Sequence, residues 1–386
     1  MLIISFDAVG DGQFDRLAGY PAMSGFIKQS SVRRGVSTVF LSNTYPVHTS
    51  VATGVPPREH GLISNTEPFP ARHPVWNTRE SRIKAKTIWQ SAREKGIKTA
   101  AVLWPVTAYS KTVDYNIPEA HTLPGESQIM ANLKSGSFFL QMKLFLRHRK
   151  LLDGISQPAL DRFAAACAAD ILREKKPGLT LIHLTAYDSL CHQYGKDAPE
   201  MEAAFRSLDN NLRRLLAAAG EDEDVLLFSD HGQINVHTVL TPNEMLVDRG
   251  LLRKEAGPAG YMAGESGCFM ECCAGSAFFH PGKLSKDKTE EIREAVSQSE
   301  GFRRFLTEDE LCVSGMEHAA FGFCAGEGYC YEARASGYRG NHGYPLDMPD
   351  YSVFYMTRGF GGKPGGVIQG GSLLDIAPMV KKRMGL

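Results

Sequence analysis

The chain has 386 residues, 43% of them hydrophobic and 22% charged, a globular composition that excludes intrinsic disorder and gives room for one large α/β body. Lys+Arg and Asp+Glu both number 43, so no overall basic excess points to a nucleic-acid polymer or an anionic membrane as partner. The apolar start ends at Asp7, far short of a membrane span, and it lacks a basic leader and small-residue cleavage site; the expectation is a cytoplasmic chain with no membrane partner.

In chain order, Leu2 to Phe6 reads as a buried strand that delivers Asp7 to the loop at its carboxyl end. Pro21 to Gln29 reads as a helix. Val36 to Leu41 reads as a second strand, followed by the loop SNTYP and a helix over His48 to Thr53 that Gly54 closes. Thr87 to Lys95 has helical spacing with Gly96 as its C-terminal stop, and Thr99 to Leu103 is the next strand. Leu133 to Leu152 is basic and amphipathic. A membrane-surface helix is one reading; a lid or insertion helix that packs its Phe and Leu face on the body is favoured. Leu160 to Glu174 and Met201 to Ala219 read as helices. Leu179 to Leu184 reads as a strand ending at Asp188, and Val225 to Phe228 as one ending at Asp230 and His231. Ser372 to Leu386 reads as a closing helix. The rhythm predicts an α/β fold with a mostly parallel central sheet and helices on both faces. A single domain over 1–386 is expected, with lid insertions at about 106–155 and 255–335. The eight cysteines form no CxxC pair and are expected to be reduced and mostly buried.

Three apolar strands run into metal-type residues, Asp7, Asp188 and Asp230, and open α/β sheets gather function at the carboxyl ends of their strands. Asp188 and His192 stand four residues apart, one face of a helical turn, a pairing that suits zinc or manganese. Alone such a pair is as often a cap. Asp230 and His231 follow a fully apolar strand and precede Gly232, which lets a turn aim both at one ion. His342 lies between glycines in GNHGYP. Thr44 follows a β-branched strand and precedes Pro46, near a helix N-terminus where backbone N–H groups favour an anion. A threonine hydroxyl becomes a nucleophile only with a base or metal to lower its pKa. His48 and His60 read as loop organisers and His183 as a core residue. His237, His280 and His318 have no ligand-like spacing.

Taken in order, IISFDAVG, TYPVHTSVATG, D-x-x-x-H, SDHG and GNHGY resemble the alkaline phosphatase superfamily, and within it the type I phosphodiesterase/nucleotide pyrophosphatase branch. Each motif alone is weak; the ordered set from residue 3 to residue 345 is specific. The resemblance implies two divalent metal ions, zinc favoured and manganese the alternative. Asp188, His192 and His342 would hold one, and Asp7, Thr44, Asp230 and His231 the other. It implies Thr44 as nucleophile, a phosphothreonine intermediate, and a small phosphate ester or nucleotide as substrate. A phosphodiester or nucleotide pyrophosphate is favoured. The branch usually carries Asn between Pro and His, where it contacts a phosphoryl oxygen, and here Val47 stands there. A phosphomonoester or phosphonate hydrolase is therefore the alternative, and an inactive metal- or ligand-binding member ranks below both.

Overall fold

The computed structural model describes residues 1–67, 75–122, 125–255 and 260–386. An eight-stranded sheet forms its centre. The first six of its strands along the chain are β1 (Leu2–Phe6), β2 (Ser31–Val36), β3 (Thr99–Val102), β4 (Tyr115–Ile117), β5 (Leu179–Leu184) and β6 (Val225–Ser229). Across the sheet the order is Val367–Gln369, β2, Val353–Arg358, β6, β1, β5, β3, β4. β1 pairs in parallel with both β5 and β6, putting Ile4 level with Ile182 and Leu227. Only Val353–Arg358 runs antiparallel to its neighbours, β2 and β6.

Among the described residues, ten α-helices precede or interleave these strands: α1 (Phe14–Ala18), α2 (Pro21–Gln29), α3 (Thr44–Thr53), α4 (Pro57–His60), α5 (Ile88–Glu94), α6 (Gln128–Ser135), α7 (Phe138–His148), α8 (Ala159–Lys175), α9 (Ala186–Tyr194) and α10 (Met201–Ala219). A strand covered on both faces must be apolar at nearly every position, because successive side chains point to opposite sides. β1 obeys this: Leu2, Ile4 and Phe6 pack against α2, α8 and α10 residues such as Phe26, Ala168 and Leu208. Ile3 points the other way, into a cluster with Val47, Val51, Trp89 and Ile376.

Several local expectations change. β2 stops at Val36, so Val39 to Asn43 is extended loop instead of strand. α3 begins at Thr44, four residues before the start read from sequence, and ends at Gly54 in the left-handed conformation. Asp188 is not at a strand end: β5 stops at Leu184, and Asp188 lies in the first turn of α9. The amphipathic stretch Leu133–Leu152 is two helices, not one. α6 ends and α7 begins around Gly136, where a Cβ would overlap Pro118 and the Asn116 carbonyl.

The region 106–155 thus contributes β4 to the sheet edge, then α6 and α7. Residues 123–124 and 256–259, inside the two stretches read as lids, lie outside the described residues. The second stretch carries a four-stranded antiparallel sheet in the order Phe269–Cys273, Ser276–His280, Phe321–Ala325, Phe302–Phe305. Its own aromatic core includes Phe279, Phe323, Tyr331 and Tyr344. All eight cysteines are free thiols. Among the described residues no helix is long and apolar enough to cross a membrane.

Candidate active site

The site lies at the carboxyl ends of β1, β5 and β6. Asp7 and Ala8 follow β1, Asp230 and His231 follow β6, and α9 brings Asp188 and His192 onto the same rim. Thr44 enters as the first residue of α3. His342 comes from a loop after Gly340–Asn341, a short strand pairing with Ile234–Leu240. Gly343 holds a φ of +78°, and a Cβ there would collide with the Cys273 carbonyl, so the tight loop needs glycine.

These side chains form two triads. Asp188, His192 and His342 are one; Asp7, Asp230 and His231 are the other. Within each, the ligand-type atoms lie within 4.8 Å of one another. The triads touch: the His231 and His342 ring centres are 4.2 Å apart. Among the described residues no other group of three such side chains converges in this way.

The hydrogen bonding around each imidazole fixes which nitrogen faces inward. His192 Nδ1 donates to the Gly340 carbonyl at 2.8 Å, His342 Nδ1 to Asn43 Oδ1 at 3.0 Å, and His231 Nδ1 to the Gly232 carbonyl at 3.2 Å. When the rings are neutral, each Nε2 is then a bare lone pair pointing into the site. His231 Nε2 lies 3.4 Å from both Asp7 Oδ1 and Asp230 Oδ2, and these two oxygens are buried without any hydrogen-bond donor. Three acceptors facing one point with no donor between them repel one another, and a cation removes the conflict. The residues therefore fit a divalent metal. The other Asp230 oxygen is pinned at 2.9 Å by the backbone N–H groups of Ala8 and His231, so Asp230 is oriented before anything binds.

The acid–base behaviour follows from crowding. Burial, then the Asp188 and Asp230 carboxylates, push the Asp7 carboxyl well above its usual range. Burial also opposes ionisation of Asp188, but His192 at 3.3 Å and then His342 hold it below the carboxylate range. Burial disfavours charge on His192, yet Asp188 outweighs it and raises the ring to about 8. Burial, then His231, push His342 well down.

Thr44 Oγ1 lies 3.4 Å from His231 Nε2, on the side where both triads meet. Asn43, not Thr44, occupies the cap position of α3, and its side chain serves His342 instead of the helix. Val47 is fully buried in the apolar cluster with Ile3, Val51 and Trp89, so its side chain faces the core. A different amide stands near. Asn65 Oδ1 accepts the Tyr45 N–H at 2.9 Å, which leaves its NH₂ free to donate beside Thr44.

Sequence reading missed Asn43 and Asn65, since neither sits in a spacing that marks a ligand. His183 is a core residue, but not an idle one: its Nε2 reaches Asp7 Oδ2 at 3.1 Å. His48 is not a loop residue. It lies within α3, buried, with Nδ1 on the Thr44 carbonyl and Nε2 on Ser5 Oγ, both at 2.8 Å. His60 ends α4 and bonds Ser50 Oγ at 2.9 Å. Ser5 and His183 stand level with one another across β1 and β5, a pairing that only the folded sheet reveals.

Comparison with known proteins agrees with this architecture. The sequence pattern of the type I phosphodiesterase / nucleotide pyrophosphatase family matches residues 1–301. Human ectonucleotide pyrophosphatase/phosphodiesterase family member 1 is 22% identical over 230 residues, 55% of this chain and 21% of that protein. Human bis(5'-adenosyl)-triphosphatase is 22% identical over 253 residues, 60% of this chain and 47% of that protein. The chain thus spans less than half the length of these curated relatives. Murine ectonucleotide pyrophosphatase/phosphodiesterase 5 superposes with a TM-score of 0.71 at 17% identity, covering 100% of this chain and 95% of that one. An inactive threonine-to-alanine form of the same murine protein, in complex with AMP, superposes with the same TM-score at 16% identity. With the family pattern running through more than three quarters of its length, the chain belongs to the type I phosphodiesterase / nucleotide pyrophosphatase family.

Proposed function

We propose that this protein is a metal-dependent hydrolase that cleaves a phosphodiester or nucleotide pyrophosphate through a phosphothreonine on Thr44. The observation that carries the reading is the pair of triads beside the Thr44 hydroxyl, one of them with two buried carboxylate oxygens, Asp7 Oδ1 and Asp230 Oδ2, that have no donor. Asp188, His192 and His342 would hold one ion; Asp7, Asp230, His231 and Thr44 the other. The mixture of imidazole and carboxylate favours zinc over magnesium. Bound divalent ions supply the charge that lowers the hydroxyl's pKa and neutralises phosphoryl oxygens.

The chain's own groups do the rest. The Thr44 oxygen forms a bond to phosphorus while the ester oxygen opposite departs, and water later cleaves the phosphothreonine to restore the hydroxyl. The N-terminus of α3 turns its partial positive end toward the phosphoryl group. The Asn65 amide supplies the neutral donor that Val47 cannot. This supports a diester over a monoester, because a diester carries less charge and is held by neutral donors as well as by cations. The inactive threonine variant of the murine relative and its AMP ligand are consistent with a nucleophilic threonine and a nucleotide-type substrate.

The test pairs metal analysis with turnover of bis-p-nitrophenyl phosphate and p-nitrophenyl phosphate. The reading expects two zinc per chain and preference for the diester. Thr44→Ala should keep most of the metal and lose at least about 10³-fold in kcat. Preference for the monoester would move the protein to the alternative class. Full occupancy without turnover of either ester would make it a binding protein. A Thr44→Ala variant with near-full rate would exclude threonine as the nucleophile.

A further inference from the structure

We propose that the outer face of α6 and α7 docks on an anionic lipid bilayer. The chain as a whole is neutral, yet residues 128–152 hold Lys134, Lys143, Arg147, Arg149 and Lys150 and no Asp or Glu. The same stretch concentrates exposed apolar side chains. Phe139 is 87% exposed, Leu146 60% and Ile129 57%.

The helix has two faces. Inward, Leu144 is buried and Leu140 packs beside it in the core cluster shared with α8. Outward, Phe139, Lys143 and Leu146 fall at intervals of four and three residues, one stripe of α7, and the exposed Lys150 follows in the 3₁₀ turn Arg149–Leu151. The sequence predicts that the Phe and Leu face lies on the body; instead, Phe138, Phe139 and Leu146 face solvent. Lys143 and Arg147 reach Glu174, but among the described residues Lys134, Arg149 and Lys150 form no ion pair. Beside the stripe, a cleft of about 410 Å³ is lined by Arg147, Lys150, Arg173 and Arg214, with Asp170 as its one acid, paired to Arg147 and His148.

Phe and Leu alternating with Lys along one stripe suit a helix lying at headgroup depth. Its apolar chains enter the acyl boundary and its cations meet anionic headgroups. A protein partner is the poorer fit, since the cores of protein interfaces are depleted in lysine. Opposite net charge supplies the attraction, and the apolar side chains supply the insertion.

Flotation with vesicles tests this without substrate, so the outcome is independent of the hydrolytic reading. The full chain is mixed with phosphatidylcholine vesicles and with phosphatidylcholine/phosphatidylserine vesicles, at low and high salt. The proposal expects binding to the anionic vesicles, weakened by salt, and little binding to the neutral ones. The double variant Phe139→Ser with Leu146→Ser, both exposed side chains, should lose roughly tenfold or more in partitioning. Arg149→Glu with Lys150→Glu should abolish the preference for anionic lipid. Absence of binding to anionic vesicles, or binding that neither variant changes, would overturn it. So would a concentration-dependent dimer that the Ser variants dissolve with no vesicle binding, since that result makes the face a contact between copies.

Discussion

At the scale of single residues, the neighbours of the inward-facing groups matter as much as those groups. Asn43 is the clearest instance. Its carbonyl oxygen accepts a hydrogen bond from the His342 Nδ1–H at 3.0 Å and so fixes the ring with Nε2 inward. Removing such a support typically costs 10–100-fold in metal affinity. Asn43→Ala should therefore lower zinc affinity by about that factor, read by competition with a chelating dye, while circular dichroism stays unchanged. His60 makes a second residue-level prediction. Burial drives its pKa from the ordinary histidine value down to about 3. A base with a depressed folded pKa leaves the unfolded chain to take up the proton first. Its contribution is thus complete above the unfolded value of about 6.5 and is lost as pH falls toward 3. Between pH 6.5 and 5 this amounts to about 2 kcal/mol. His60→Gln should flatten that part of the stability curve in urea titrations, and an unchanged acid slope would remove His60 as its source.

At the scale of elements, the buried strands and long helices were legible from sequence, and the short-range corrections have definite causes. β1, β5 and β6 are apolar at almost every position because both faces are covered, and that run is hard to mistake. Met201–Ala219 matched residue for residue, its apolar stripe and Gly220 marking face and end. α3 starts four residues earlier than its sequence suggests. Pro46 at its third position discourages a helical reading, yet proline is tolerated in a first turn, where its missing N–H has no partner to lose. The break between α6 and α7 was invisible because its cause is tertiary. Gly136 passes so close to Pro118 and the Asn116 carbonyl that no side chain fits. Gly136→Ala should accordingly not fuse the helices. It should displace that contact and cost about 1–3 kcal/mol in urea unfolding; a neutral or stabilised variant would show that helix propensity, not packing, governs the junction.

At the scale of the whole molecule, residues more than three hundred positions apart meet because a parallel sheet collects its strand ends on one rim. Order along the chain was enough to nominate Asp7, Thr44, Asp188, His192, Asp230, His231 and His342, and the fold brings all of them to that rim. The supporting side chains were not legible. Asn43, Asn65 and His183 act through contacts that depend on how distant segments dock, and no local pattern distinguishes them from cap, loop or core residues. The same holds for the exposed stripe of α7, whose outward direction is decided by which side of the helix the body covers.

The most direct test of the two-metal account is anomalous diffraction at the zinc edge from crystals grown with zinc. The account predicts two peaks about 3.5–4 Å apart. One should lie about 2.0–2.2 Å from Asp188, His192 and His342, and the other equally near Asp7, Asp230 and His231, with the Thr44 oxygen facing it. A single peak, or peaks seated away from these six side chains, would contradict it.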